Sequence, residues 1–227
     1  MDTETLIVED LLLLLLDDET GTPAGAGTLH YTLGGAVLVE LALRGAIESD
    51  ESRALNGAKI TAVEGKPQSD PLLQAAYEKI LAKPRRIQPL LLDVGAGLWK
   101  PLVERLIERG LIRRERKKVL GLFRMTQLPA TSAEHEGVLR QQLRAVLEDN
   151  ATPDARIAAL IALLSASGAL PVLRPPLAWS GEVAKRAQQI QQGDWAASAV
   201  STAVTRTAAA IAASSAAVAI SVVTTNT

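Results

Sequence analysis

The strongest constraint on the fold is Leu11 to Leu16, six leucines in a row, followed by Asp17, Asp18 and Glu19. Six apolar residues cannot cross a bilayer, which takes about 20. A surface helix keeps one polar face, and this run has none. Thr5 to Asp17 therefore predicts a helix buried on all sides, with its charged residues at the ends. Aromatic residues are only 3% of a chain that is 48% hydrophobic, so the core must be Leu, Ala, Val and Ile. Leu and Ala form helices well and strands poorly, which favours a mainly α fold over a sheet sandwich.

Glycines, prolines and periodicity divide the remainder. Gly21 to Gly27 reads as a loop. Thr32 to Arg44 reads as a helix with Leu33, Val37 and Leu41 on one face, capped by Gly45. Ala46–Glu48 and Lys59–Val63 suggest a small hairpin. Ser69-Asp70-Pro71 opens a helix running to about Ala82, since Pro suits the first turn. Lys83-Pro84-Arg85-Arg86 reads as a basic break, and Gln88 to Val94 as a short helix closed by Gly95 and Gly97. Leu98 to Arg109 is a helix with Leu102, Leu106 and Ile107 facing inward, stopped by Gly110. Leu111–Arg114 and Val119–Met125 read as two strands around a turn of Glu115-Arg116-Lys117-Lys118. Thr131 to Leu147 is amphipathic, with a stripe of Val138, Leu139, Leu143, Val146 and Leu147. Pro153–Ser165 and Glu182–Gln192 are further helices, with another from Trp195 onward. Thr207 to Val223 is Ala- and Ser-rich without leucine, and reads as a closing helix before a frayed tail at 224–227. With no repeat and no domain-scale linker, residues 1–227 are expected to form one globular helical domain with a small β element and a basic β-hairpin.

The chain has no cysteine and two histidines, His30 and His135. Thiol chemistry and cysteine-ligated metals are excluded, and little is left for a zinc site. The acids Asp2, Glu4, Glu9 and Asp10 precede the apolar run with no Lys or Arg, the reverse of a secretory signal. A cytoplasmic location is expected. No GxSxG, HExxH or P-loop is present. Gly34-Gly35 inside a helix costs about 1 kcal/mol against alanine, which points to close helix packing. His135 lies between Glu134 and Glu136 and is expected on the surface. Glu104, Arg105, Glu108 and Arg109 alternate as on a solvated helix face. No catalytic residue, metal or cofactor is expected.

One constellation stands out against a net charge of −1. From Leu98 to Met125 there are nine cations and three acids, a local balance of +6. Arg113, Arg114, Arg116, Lys117 and Lys118 are the expected contacts for anionic headgroups, edged by Trp99 and Lys100. Arg85 and Arg86 would extend the patch. Each clustered cation near an anionic membrane contributes about 1 kcal/mol. Leu120, Leu122 and Phe123 either dip into the interface or form the buried face of the hairpin. The alternative is a winged-helix-like nucleic-acid-binding regulator, with Leu98–Arg109 as recognition helix. Glu104 and Glu108 would repel phosphate there, and that helix has no Asn, Gln, Ser or Thr to read bases.

Four stretches resemble the Golgi phosphoprotein 3 family, particularly its bacterial members. They are Leu6-Ile7-Val8-Glu9-Asp10-Leu11-Leu12-Leu13-Leu14, Leu33-Gly34-Gly35-Ala36-Val37-Leu38-Val39-Glu40-Leu41-Ala42-Leu43-Arg44-Gly45, Leu106-Ile107-Glu108-Arg109-Gly110-Leu111-Ile112 running into Leu122-Phe123-Arg124-Met125-Thr126, and Arg156-Ile157-Ala158-Ala159-Leu160-Ile161-Ala162-Leu163-Leu164. The second block is the most specific. The resemblance implies a mainly helical peripheral membrane protein on a cytoplasmic face, with an anionic phospholipid surface and a protein client as partners. A homo-oligomer through the hairpin is a further candidate. Eukaryotic relatives bind phosphatidylinositol 4-phosphate and act as adaptors that retain glycosyltransferases. Their pocket uses a tryptophan in the loop before the second helix, an arginine just before the Leu-Ala-Leu-Arg-Gly stretch, and two arginines from the helix before the hairpin. Here the loop Gly21–Tyr31 has no tryptophan, Gly34 stands at the arginine position, and the later arginines fall near Ala96 and Trp99. A bacterial member would meet cardiolipin or phosphatidylglycerol instead.

Overall fold

A computed structural model describes residues 4–17, 21–50, 58–119, 123–129, 131, 133–174, 176–195 and 204–214; residues 116–119, 123–126 and 133 are described by their backbone alone. The fold is mainly α. Helix α1 (Ile7–Leu15) lies at the centre with every residue buried, as its all-round leucines predict. Helix α2 (Leu29–Leu43) starts three residues before the predicted Thr32 and is buried from Thr32 to Ala42, not along one face. The reason is position: α2 packs against α1 on one side, α4 (Ile87–Gly95) on another and α7 (Ala155–Ala166) on a third. Nine residues of α7 are buried too, so three apolar helices form the centre. Helices α3 (Pro71–Ala82), α5 (Trp99–Glu108), α6 (Ala133–Leu147) and α8 (Gly181–Gln191) surround them. A further helix covers 204–214, where an N-terminal part of the predicted closing segment is described; 215–227 lies outside the described residues.

The helix ends follow local chemistry. Asp70 caps α3 by accepting from the Leu72 and Leu73 amides, with Pro71 in the first turn. Gly45 and Gly110 take positive φ, and each closes its helix with the paired bonds of a Schellman stop. In α2 the Ala46 amide donates to the Leu41 carbonyl, and in α5 the Leu111 amide donates to the Leu106 carbonyl.

Two small antiparallel sheets complete the described fold. In the first, β1 (Ile47–Asp50) pairs with β2 (Lys59–Ala62), which pairs with β3 (Arg85–Arg86). The predicted basic break is thus an edge strand: Lys83 and Pro84 end the helix, and Arg85 and Arg86 then pair with Ile60 and Lys59. The second sheet is the basic hairpin, but its register differs from expectation. Strand β4 is Glu115–Val119 and β5 is Phe123–Gln127, with Arg116 opposite Thr126, Lys118 opposite Arg124, and Val119 opposite Phe123. The tetrad read as a turn is a strand. Residues 120–122, with the expected contacts Leu120 and Leu122, lie outside the described residues.

Two expectations for α6 also change. Val138 is 49% exposed, while Arg140 is buried against buried Glu136 one turn earlier. The other stripe members, Leu139, Leu143, Val146 and Leu147, do face the core. A guanidinium held by a carboxylate at i−4 can replace an apolar residue at a helix boundary, which periodicity alone does not show.

Candidate functional site

The N-terminal turn of α1 organises the molecule around buried charge. Glu9 and Asp10 are 0% and 1% exposed. Glu9 accepts from the Leu6 amide at 2.8 Å, and Glu40 on α2 accepts from the Ile7 amide at 2.7 Å. These bonds satisfy amides that a helix start leaves open. Glu9 also meets Arg105 at 3.3 Å and Arg109 at 2.8 Å, both from α5. Arg105 and Arg109 therefore do not lie on a solvated face as expected; they hold α5 to α1. Asp10 is met by Arg156 of α7 at 2.6 Å and by His135 of α6 at 2.8 Å. His135 is accordingly half-buried and not a surface residue. Glu104, by contrast, pairs with Arg114 at 2.7 Å where both are exposed.

Arg105 also grips Asp70 at the start of α3, with nitrogen–oxygen distances of 3.2 and 2.7 Å. Burial alone would raise the Asp70 pKa. The hydrogen bonds and charge of Arg105, with the Leu72 and Leu73 amides, outweigh burial and hold the carboxyl below its usual range. Arg105 is correspondingly raised, chiefly by its bond to Asp70. A depressed carboxyl contributes stability above its unfolded pKa and loses it as pH falls through the folded one. Asp70→Asn keeps the cap, since Asn caps as well as Asp. Urea midpoints followed from about pH 6 down to about pH 3 should fall less steeply for Asp70→Asn than for the parent. Identical slopes would show that Asp70 gains nothing from Arg105.

Helix α5 joins this anchor to the hairpin. Arg113 and Arg114 leave the end of α5; Arg113 pairs with Glu115 at 2.5 Å and stays exposed. The Arg113 amide donates to the Pro129 carbonyl and the Thr131 amide to the Leu111 carbonyl, which closes the base of the hairpin. Alternation along paired strands puts positions 116, 118, 124 and 126 on one face of the ribbon and 115, 117, 119, 123, 125 and 127 on the other. Three of the first set are cations, Arg116, Lys118 and Arg124. The second holds Glu115, Lys117, Val119, Phe123, Met125 and Gln127. Of the side chains beyond Glu115 that were expected to bind, only the strand positions of Arg116, Lys117, Lys118 and Phe123 are described.

At the other end of α5, Trp99 lines an open groove of about 340 Å³ with Pro23, Leu29, His30, Leu33 and Gly95. The groove is apolar and has no Lys or Arg among its lining residues. Lys100, next to Trp99, is exposed. Gly34 cannot act as a cation site: a Cβ there would overlap the Leu91 carbonyl of α4, so the close packing expected at this glycine is found. The groove and the hairpin are linked through the loop before α2. Pro23 lines the groove, while Gly21 backs directly onto the Leu128 amide at the end of β5. Trp99 and the hairpin base thus flank one loop. Arg85 and Arg86 are placed elsewhere, on the edge of the three-stranded sheet, where Arg85 pairs with Asp93 at 3.1 Å.

Sequence reasoning missed the groove and the buried ionic network. The network had a signal: Glu40 stands alone in the apolar run Leu33–Leu43, and Arg156 opens the apolar run of α7. An isolated charge in an apolar segment needs a partner. Among the described residues, no group of three or more His, Cys, Asp or Glu is arranged to hold a metal ion, and no helix is long and apolar enough to cross a membrane. The model of the Golgi phosphoprotein 3 (GPP34) family matches residues 7–207, and the chain belongs to that family.

Proposed function

We propose that this protein docks peripherally on anionic phospholipid through its hairpin and the adjoining Trp99 groove, and works there as a non-catalytic adaptor. Family membership suggests a lipid-binding, adaptor-type role in general. The observation that supports the finer reading is the hairpin register, which places Arg116, Lys118 and Arg124 on one face and Val119, Phe123 and Met125 on the other. Such a ribbon suits the boundary between headgroups and acyl chains. Trp99 and Lys100 at the start of α5 supply an interfacial aromatic and a further cation. The groove lacks cations, so a phosphorylated inositol would find no built charge pocket there. Binding should follow membrane charge more than headgroup identity, and cardiolipin or phosphatidylglycerol would serve.

Sedimentation with neutral and anionic vesicles at two salt concentrations tests this. Binding is expected only with anionic vesicles and should weaken as salt rises. Replacing Arg116, Lys117 and Lys118 together by glutamine removes three charges of about 1 kcal/mol each and should weaken binding by more than tenfold. Unchanged binding in that variant would remove the hairpin from the site. Equal binding to neutral vesicles would remove the electrostatic reading altogether.

A further inference from the structure

A second exposed element borders the same face. After α7 the chain makes a 3-10 turn at Leu170–Val172 and runs on to Ser180, which caps α8 by accepting from the Val183 amide. Leu173 is buried and Leu177 packs on the core, so the loop is fixed at two points. Helix α6 fixes it further: Glu148 accepts from the Ala178 amide at 2.8 Å, and Arg144 donates to the Pro176 carbonyl at 3.3 Å. On either side of these points the loop turns outward residues that a solvated loop does not need. Val172 is 58% exposed and Trp179 43% exposed, with exposed Arg174 between them in sequence.

Single exposed apolar residues are ordinary on protein surfaces, so position decides. Val172, Leu173 and Arg174 line an open groove of about 270 Å³ whose other wall includes Leu16, Asp17, Thr22 and Pro23. Pro23 also lines the Trp99 groove, and Gly21 touches the hairpin base. The loop after α7, the loop before α2, the Trp99 groove and the hairpin base are therefore consecutive neighbours. A tryptophan, a branched aliphatic and an arginine are the residue types that settle at a membrane boundary, where the ring stays half-wet and the guanidinium reaches headgroups. A loop already held by buried leucines and by α6 loses little freedom on docking.

We infer that the loop Leu170–Ser180 is a second membrane-contacting element, with Val172 and Trp179 entering the lipid–water interface and Arg174 meeting anionic headgroups. The inference rests on the membrane reading above. A second contact beside the hairpin would fix the orientation of the protein on the bilayer, which a single hairpin cannot do.

The absence of cysteine allows a direct test. Val172→Cys and, as reference, Val138→Cys are each labelled with a polarity-sensitive dye and mixed with phosphatidylcholine vesicles with and without phosphatidylglycerol. The same samples are sedimented. Anionic vesicles should shift the emission at position 172 to the blue and leave position 138 unchanged. Trp179→Ala should lower vesicle affinity by roughly tenfold without moving the thermal midpoint. If the protein sediments with vesicles but the dye at 172 does not respond, or responds no more than at 138, the loop is not a contact and the hairpin reading stands. If the protein does not sediment with anionic vesicles, both readings fall.

Discussion

Arg156→Ala is expected to cost about 3–5 kcal/mol of unfolding free energy, the range found when one member of a buried ion pair is removed. Arg156 donates to Asp10 at 3.0 and 2.6 Å and to the Thr5 carbonyl, and lies 4.0 Å from Glu40. Neither carboxylate can turn to water: Asp10 is 1% exposed and Glu40 is buried. The substitution leaves Asp10 with His135 and Thr5, and Glu40 with Arg44 and the Ile7 amide. Glu9→Ala should cost less, because it strands Arg105 and Arg109, whose long side chains are part-exposed and can reach solvent. Glu4, 85% exposed and 3.9 Å from Arg156, is the internal control, and Glu4→Ala should stay within about 0.5 kcal/mol. Urea unfolding decides between them, with a lowered midpoint and an unchanged slope for Arg156→Ala. Asp10→Asn in the same chain should recover part of the loss, since it removes the stranded charge. A loss below about 1 kcal/mol for Arg156→Ala would mean that the network is not buried in solution.

The contrast between Arg156 and Arg114 also explains what could be read from the sequence. Features with local causes were legible. Asp70-Pro71 starts α3, Gly45 and Gly110 stop α2 and α5, and leucine on every side buries α1. The family resemblance rested on such segments and is upheld over residues 7–207. Features with distant causes were not. Arg105 looks like one member of an alternating surface row, yet its partner Glu9 is 96 residues away. Arg114, in the same kind of row, does pair at the surface. Nothing in the local pattern distinguishes the two. His135 sits among glutamates in sequence, but its partner Asp10 comes from α1. The hairpin was expected because it lies between a glycine stop and an amphipathic helix, whereas its register was misplaced. Four charges in a row resemble a turn in composition, but strands tolerate them when one face is left to solvent. Of the candidate site, the basic hairpin was visible and the Trp99 groove was not, because its walls come from two stretches far apart in the chain, 23–33 and 95–99.

Gly95→Ala should be a costly single-methyl addition, at roughly 3 kcal/mol or more, the upper end of overpacking losses. Gly95 is the last residue of α4, and its built Cβ falls on the His30 carbonyl of α2, with the Gly34 amide 3.0 Å away. Gly34 presents the matching surface from α2, where a Cβ would overlap the Leu91 carbonyl. The two helices thus touch through backbone on both sides. Neither obstacle is the end of a flexible side chain, so relief requires one helix to move. Alanine's better helix propensity returns about 1 kcal/mol and does not offset this. Movement of α4 would also displace a wall of the Trp99 groove, so Trp99 emission should change along with stability. Gly137→Ala supplies the opposite sign. Gly137 lies in α6 with ordinary φ and open space where its Cβ would be, so alanine should stabilise by about 0.5–1 kcal/mol. Urea midpoints of the two variants should move in opposite directions. A neutral Gly95→Ala would mean that α2 and α4 do not pack through backbone, and with that the groove on which the docking surface is built would be lost.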